Sequence, residues 1–154
     1  MIFFYSRFGK TKIFAQALAE IFQKEIYELD CDLNKKNNFS FMFKALCLAF
    51  SGKSFPVSNM PQNIPDEIFL CAPIWGGQIV GAPKFFLENA DLRNTTVNLL
   101  LTANVPVEKY KQNALELLKK IPCKPGEAYV FAASDKAAPE YETIKEHLRE
   151  LICE

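Results

Sequence analysis

The first eleven residues, MIFFYSRFGKT, limit what this chain can fold into more than any other stretch. Ile2 to Tyr5 is an unbroken apolar run of β-prone residues. It leads without a spacer into Ser6-Arg7-Phe8-Gly9-Lys10-Thr11, and a helix-patterned segment over 12–24 follows at once. A strand, a tight turn bearing hydroxyls and a glycine, and then a helix bring backbone N–H groups and the positive end of a helix dipole to one point. Such a point seats a phosphate. The rest of the chain reads as a sheet that presents this turn.

Helix one places Ile13, Phe14, Ala17, Leu18, Ile21 and Phe22 on one face. Residues 26–29 read as a second strand whose alternation suits a sheet edge half open to water. A polar connection over 34–38 precedes an apolar segment over 39–50, where Ser40, Lys44, Cys47 and Ser51 form one narrow helical stripe. That helix reads either as packed on the sheet or as a contact surface or flap over a ligand. Gly52 ends it, and Pro56, Pro61 and Pro65 mark an irregular passage. Residues 68–72 form a continuous apolar strand of the kind buried on both faces. A loop over 73–83 carries the only Trp and three glycines, and Pro83 opens a short helix through Phe85, Phe86, Leu87 and Ala90. Residues 96–101 are a further buried strand, ending at Thr102-Ala103-Asn104. Pro106 and Pro122 bracket a helix bearing Tyr110, Ala114, Leu117, Leu118 and Ile121. Gly126 precedes a last strand over 128–132, and a final helix starts near Pro139 with Tyr141, Ile144, Leu148 and Leu151 inward.

Five strands alternating with helices predict an α/β fold with a parallel sheet in a three-layer sandwich. At 154 residues the chain suits one domain over 1–154 with a real core. Ligands of such sheets bind outside the carboxyl ends of the strands, where the strand order reverses. The loops there are 6–11, 72–83 and 102–106.

Charge and cysteine usage narrow the function classes. Lys plus Arg and Asp plus Glu number 18 each, which gives no signal for nucleic acid or an acidic membrane as partner. No apolar run approaches the ~20 residues of a membrane span. Met1 runs straight into the first strand with no basic leader, so a cytoplasmic protein without a signal peptide is expected. Cys31, Cys47, Cys71, Cys123 and Cys153 are scattered without a C-x-x-C pair, as reduced thiols would be. His147 is the only histidine and sits in a charged helix pattern, so no histidine-based metal site is expected.

Gly9-Lys10-Thr11 superficially matches the end of a nucleoside-triphosphate loop, but that motif needs a glycine where Phe4 stands inside the strand. No G-x-G-x-x-G dinucleotide fingerprint occurs. What remains is a short turn with Ser6 and Thr11 hydroxyls and several N–H donors, which suits a monophosphate.

Ser6-Arg7-Phe8-Gly9-Lys10-Thr11 resembles the phosphate-loop signature of the flavodoxin family: a hydroxyl residue, any residue, Thr or Ser, Gly, Asn or Lys, then Thr. Ala72-Pro73-Ile74-Trp75-Gly76-Gly77 with Pro83 resembles the second loop of that family, which lines the isoalloxazine ring. The resemblance spans essentially the full length. It implies a flavodoxin-like sheet of order 2-1-3-4-5, noncovalent FMN and electron transfer. It assigns Ser6, Arg7, Phe8, Gly9, Lys10 and Thr11 to the phosphate end, Pro73, Ile74, Trp75, Gly76 and Gly77 to the ring, and Thr102, Ala103 and Asn104 to the third loop. No catalytic side chain and no metal ligand is implied. Trp75 offers a large apolar face to a flavin, and equally suits a loop-anchoring core aromatic. Gly76 and Gly77 let a carbonyl turn toward or away from a ring nitrogen, or simply serve a turn.

Three features depart from the family. Phe8 stands where a hydroxyl is usual, at a cost of about 1–2 kcal/mol, roughly tenfold in affinity; Arg7 either compensates with charge-assisted bonds or is solvated. The third loop lacks the Tyr that often stacks on the ring, and Tyr110 is expected on the next helix. The chain is neutral, whereas flavodoxins are usually acidic. Three functions follow: an FMN electron carrier that docks on redox partner proteins, an FMN-dependent NAD(P)H:quinone-type reductase with a small electron acceptor, or a fold that has exchanged FMN for another phosphate ligand or a protein. Monomer and homodimer are both open.

Overall fold

Strands β1 (Ile2–Phe4), β2 (Ile26–Glu28), β3 (Glu67–Trp75), β5 (Thr96–Ala103) and β6 (Lys124–Ala132) pair in parallel in the order β2-β1-β3-β5-β6. The computed structural model describes residues 1–32, 40, 43, 44, 47, 51, 54–133 and 141–152. The helices whose bounds fall within the described residues are α1 (Lys10–Phe22), α2 (Ala82–Asn89), α3 (Glu108–Leu118) and α4 (Tyr141–Ile152). A sixth, short strand, β4 (Gln78–Ile79), folds back antiparallel on the end of β3. Without that hairpin strand the order is the expected 2-1-3-4-5.

The uninterrupted apolar runs follow from burial on both faces. Phe3, Tyr5, Ile68, Leu70, Val97, Leu99 and Leu101 pack in one cluster with Phe86 and Leu87 of α2 and Ala114 and Leu118 of α3. Ile2, Phe4, Phe69, Cys71 and Leu100 pack in the other with Phe14 and Leu18 of α1 and Ile144 and Leu148 of α4. Neighbouring residues thus alternate between two buried layers, as the period of a strand requires, and neither face has to be polar. Tyr141, expected to face inward, is 36% exposed, and its hydroxyl donates to Glu20 Oε2 at 2.9 Å. His147 is exposed and sets its ring edge-on against Phe131, 5.4 Å between centroids.

Several boundaries differ from the sequence reading. α1 begins at Lys10 instead of residue 12, because Gly9 takes a left-handed conformation (φ 81°) and turns the chain into the helix two residues early. β3 continues through Pro73, Ile74 and Trp75, which were expected in a loop; Pro73 still pairs in register with Thr102. β6 starts at Lys124, four residues ahead of the expected start, and includes Gly126. The reason is Asn98. It is buried in β5 at a register shift, its Oδ1 accepts from the Glu127 N–H at 3.0 Å, and its Nδ2 donates to Glu67 Oε1 at 3.3 Å. A side chain thus supplies a ladder contact that a turn-like sequence would otherwise lose. The polar connection over 34–38 and most of the apolar segment over 39–50 lie outside the described residues. Ser40, Lys44, Cys47 and Ser51 are helical, and all but the half-buried Ser40 are exposed, with the stripe spacing expected of them.

The Asn98 plug makes a prediction. A Cβ on Gly126 would stand 2.2 Å from Asn98 Oδ1 and 3.0 Å from the Val97 carbonyl oxygen. Gly126→Ala is expected to cost about 1–3 kcal/mol in urea unfolding, and clearly less in an Asn98→Ala background. Equal costs in both backgrounds would sink this account of the bulge.

Candidate functional site

The carboxyl ends of β1, β3 and β5 reach one level of the sheet, where the chain passes from building outward toward β2 to building the other way through β3. Register fixes that level: Phe4 pairs with Cys71, the Tyr5 N–H donates to the Cys71 carbonyl at 3.1 Å, and Pro73 pairs with Thr102. A cleft of about 640 Å³ opens there. Its floor and walls come from Ser6, Arg7 and Phe8 after β1, and from Lys10 and Thr11 in the first turn of α1. Pro73, Ile74, Trp75, Gly76 and Gly77 at the hairpin, and Thr102, Ala103, Asn104 and Val105 at the end of β5, form the other sides. Tyr110 of α3 and Ala133 after β6 complete it.

Every residue that the resemblance assigns to the phosphate end, the ring or the third loop lines this cleft except Gly9. Gly9 caps α1, and a Cβ built on it meets nothing within 4 Å. Three lining residues were missed. Val105 and Ala133 carry no chemical signal in the sequence. Tyr110 was expected on the helix after the third loop, where it is, but that helix leans over the hairpin and returns the ring to the cleft. An aromatic absent from the third loop thus enters from α3.

The end of the cleft at the start of α1 is made of backbone and charge. The first turn of α1 contains no acidic residue, and the first N–H groups of a helix have no intrahelical acceptor. Among the described lining residues Arg7 and Lys10 are cationic and none is acidic. Thr11, 2% exposed, shares a hydrogen bond with Thr102, Oγ1 to Oγ1 at 2.8 Å. A threonine hydroxyl has one proton and two acceptor positions. Thr11 therefore offers its proton to a ligand only when Thr102 is the donor in that pair. The same bond ties the first loop to β5 across 91 residues of sequence.

The opposite end is apolar. Trp75 is half-buried and meets the Tyr5 ring edge-on, 6.1 Å between centroids. Burial, with the Cys31 thiol beside it, pushes the Tyr5 phenol well above its usual range, so it stays neutral under Trp75. Phe8 and Val105 stand at the mouth, 54% and 65% exposed. Gly76 and Gly77 both have positive φ, 59° and 80°, as a two-residue antiparallel hairpin turn demands.

These features define a cleft with a cationic, backbone-lined end and an aromatic end on a flavodoxin-like α/β sheet, and comparison with solved structures agrees on the fold. The chain is similar to a candidate flavoprotein from Bacteroides uniformis, with a TM-score of 0.76, 18% identity and coverage of 97% of this chain and 96% of that one. A candidate flavoprotein from Bacteroides eggerthii gives 0.70 at 17% identity, covering 97% and 95%. A flavoprotein from Lactobacillus acidophilus, in complex with FMN, gives 0.60 at 20% identity, covering 84% and 90%. No protein-family model and no curated protein matches the sequence. Among the described residues no helix is long and apolar enough to cross a membrane.

The Thr11–Thr102 pair is open to a direct test. Thr102→Val keeps the shape and removes one hydroxyl, leaving Thr11 Oγ1 buried against a methyl group. A loss of about 1–2 kcal/mol in denaturant unfolding is expected. A variant as stable as the parent would show that the bond contributes nothing to the fold.

Proposed function

We propose that this chain binds FMN noncovalently in the cleft and serves as a flavodoxin-like electron-transfer protein. The observation that carries the reading is one cleft with two unlike ends. The first turn of α1, which Gly9 caps, suits a dianionic phosphate together with Arg7 and Lys10. Ile74, Trp75, the two glycines and Tyr110 suit a flat apolar ring. The volume lies within the ordinary range of cofactor pockets, and the Lactobacillus acidophilus flavoprotein of the same fold holds FMN. A flavin supplies the electron chemistry when bound. The chain contributes the phosphate seat, the dry slot and the hydrogen-bonding turn beside the ring.

A second reading has its own support. The mouth is open and apolar at Phe8 and Val105, which leaves room for a small electron acceptor against the ring. That arrangement suits an FMN-dependent reductase of the NAD(P)H:quinone type. Turnover of NAD(P)H and a quinone by the isolated protein, without a helper reductase, distinguishes the enzyme from the carrier.

Titration with FMN, followed by flavin fluorescence and compared with riboflavin, tests the main reading. Quenching by FMN at micromolar affinity or tighter, about −8 kcal/mol or better, and far weaker quenching by riboflavin are expected. Equal response to both would move the phosphate away from the Ser6 turn, and no response would remove FMN altogether. Gly9→Asp should abolish FMN binding by setting a carboxylate at the phosphate seat. Gly9→Ala, which carries the left-handed strain alone, should retain it. Trp75→Ala should weaken FMN about tenfold through lost stacking; unchanged affinity and spectrum would leave Trp75 as a loop anchor only.

A further inference from the structure

Helix α3 reaches the hairpin with two residues one turn apart, and both meet the same glycine. Asn113 Nδ2 donates to the Gly77 carbonyl at 3.0 Å. A Cβ built on Gly77 would lie 3.3 Å from Tyr110 Cε1, 3.6 Å from its Cδ1 and 4.0 Å from Asn113 Nδ2, so ring and amide close over that stretch of backbone. Asn113 does not line the cleft. It lines a separate groove behind the hairpin, with Gln78 and Glu116. The Gly77 carbonyl is therefore committed to the back of the hairpin.

Two adjacent glycines would ordinarily give this turn several conformations of similar energy. Here the Gly77–Gln78 peptide cannot rotate without breaking the Asn113 bond, and the Tyr110 ring stands against Gly77, 3.3 Å from where its Cβ would lie. The Gly76–Gly77 peptide shares Gly77 with the held peptide, so fixing Gly77 also fixes the direction in which this neighbouring peptide faces, and Gly76 is exposed at the cleft.

We infer that Tyr110 and Asn113 are positioning residues that lock the Gly77–Gln78 peptide and leave the Gly76–Gly77 peptide as the group of this turn that meets the cofactor ring, so that α3 sets the preference of the site for one redox state over the other. The inference rests on the FMN reading above. Its logic is that of differential affinity: a turn free to adapt satisfies both redox states, whereas a restrained turn favours the state that its one geometry matches. Releasing the restraint then changes the ratio of the two affinities, and not merely their common strength.

Asn113→Asp is the discriminating variant, because it keeps the shape, removes the donor and sets a carboxylate against the Gly77 carbonyl. Asn113→Ala removes the donor without a charge and stands in if the first variant fails to fold. The expected result is a change of about tenfold in the ratio of affinities for oxidised and reduced FMN, read as a potential shift of about 30 mV for a two-electron couple. Gln78 amide exchange should also be faster in the cofactor-free variant. A merely structural role would lower the melting temperature or weaken both redox states together, leaving the ratio within twofold, and that result overturns the inference. Wild-type protein that ignores FMN overturns the parent reading and the redox claim with it. Unchanged Gln78 exchange in the apoprotein overturns the clamp itself, so the two failures are told apart.

Discussion

The parallel register of β1, β3 and β5 is the constraint on which the rest of the molecule depends. Because all three strands are covered on both faces, their backbones pair rigidly and their side chains are spent on the two core clusters. Polar chemistry is then confined to the strand ends. The pairs Phe4 with Cys71 and Pro73 with Thr102 decide that the first loop, the hairpin and the end of β5 meet at one height. A register slip of one residue in β3 would exchange Phe69 and Cys71 with Leu70 and Ala72 between the layers. That cost protects the alignment of the cleft as a by-product of protecting the core. The Thr11–Thr102 hydrogen bond adds a direct tie between two of the three walls.

How much of this could be read beforehand follows from how local each signal is. The turn after β1 and the Trp-Gly-Gly hairpin are encoded by residues adjacent in sequence, and so the lining residues of both were legible. The β3 boundary was not, since Pro73 reads as a break although its partner Thr102 holds it in the ladder. β4 is only two residues long and has no periodicity to show. The start of β6 carries Pro125 and Gly126, a turn-like pair, and becomes strand only because Asn98 reaches across from the neighbouring strand. Tyr110 was legible as a helix residue but not as a cleft residue, because the direction of α3 is set by its packing on the hairpin and β6. In each case the missing information was a contact between residues far apart in sequence.

Net charge was a poor guide to the site. The chain balances 18 basic against 18 acidic residues, yet the described cleft lining carries Arg7 and Lys10 and no carboxylate. Away from the cleft, Glu20 and Lys145 at 3.0 Å join α1 to α4, and Lys24 and Glu67 at 3.0 Å sit at the other end of the sheet. Lys24 and Lys145 act as ties between elements, so a total charge of zero does not tell which charges stand at the cleft.

The divergence of the sequence has a physical reading in the same terms. A seat built from a left-handed Gly9, the start of a helix and a nearby cation asks little of side chains, because backbone N–H groups are the same whatever residue carries them. The ring of Phe8 goes outward, 54% exposed, where it disturbs neither α1 nor the core. Likewise the aromatic missing from the third loop is supplied by α3. The fold is therefore held by burial pattern and register, and the cleft by backbone geometry. Both survive replacement of most individual residues, which is why structures at 17–20% identity superimpose while no family model matches the sequence.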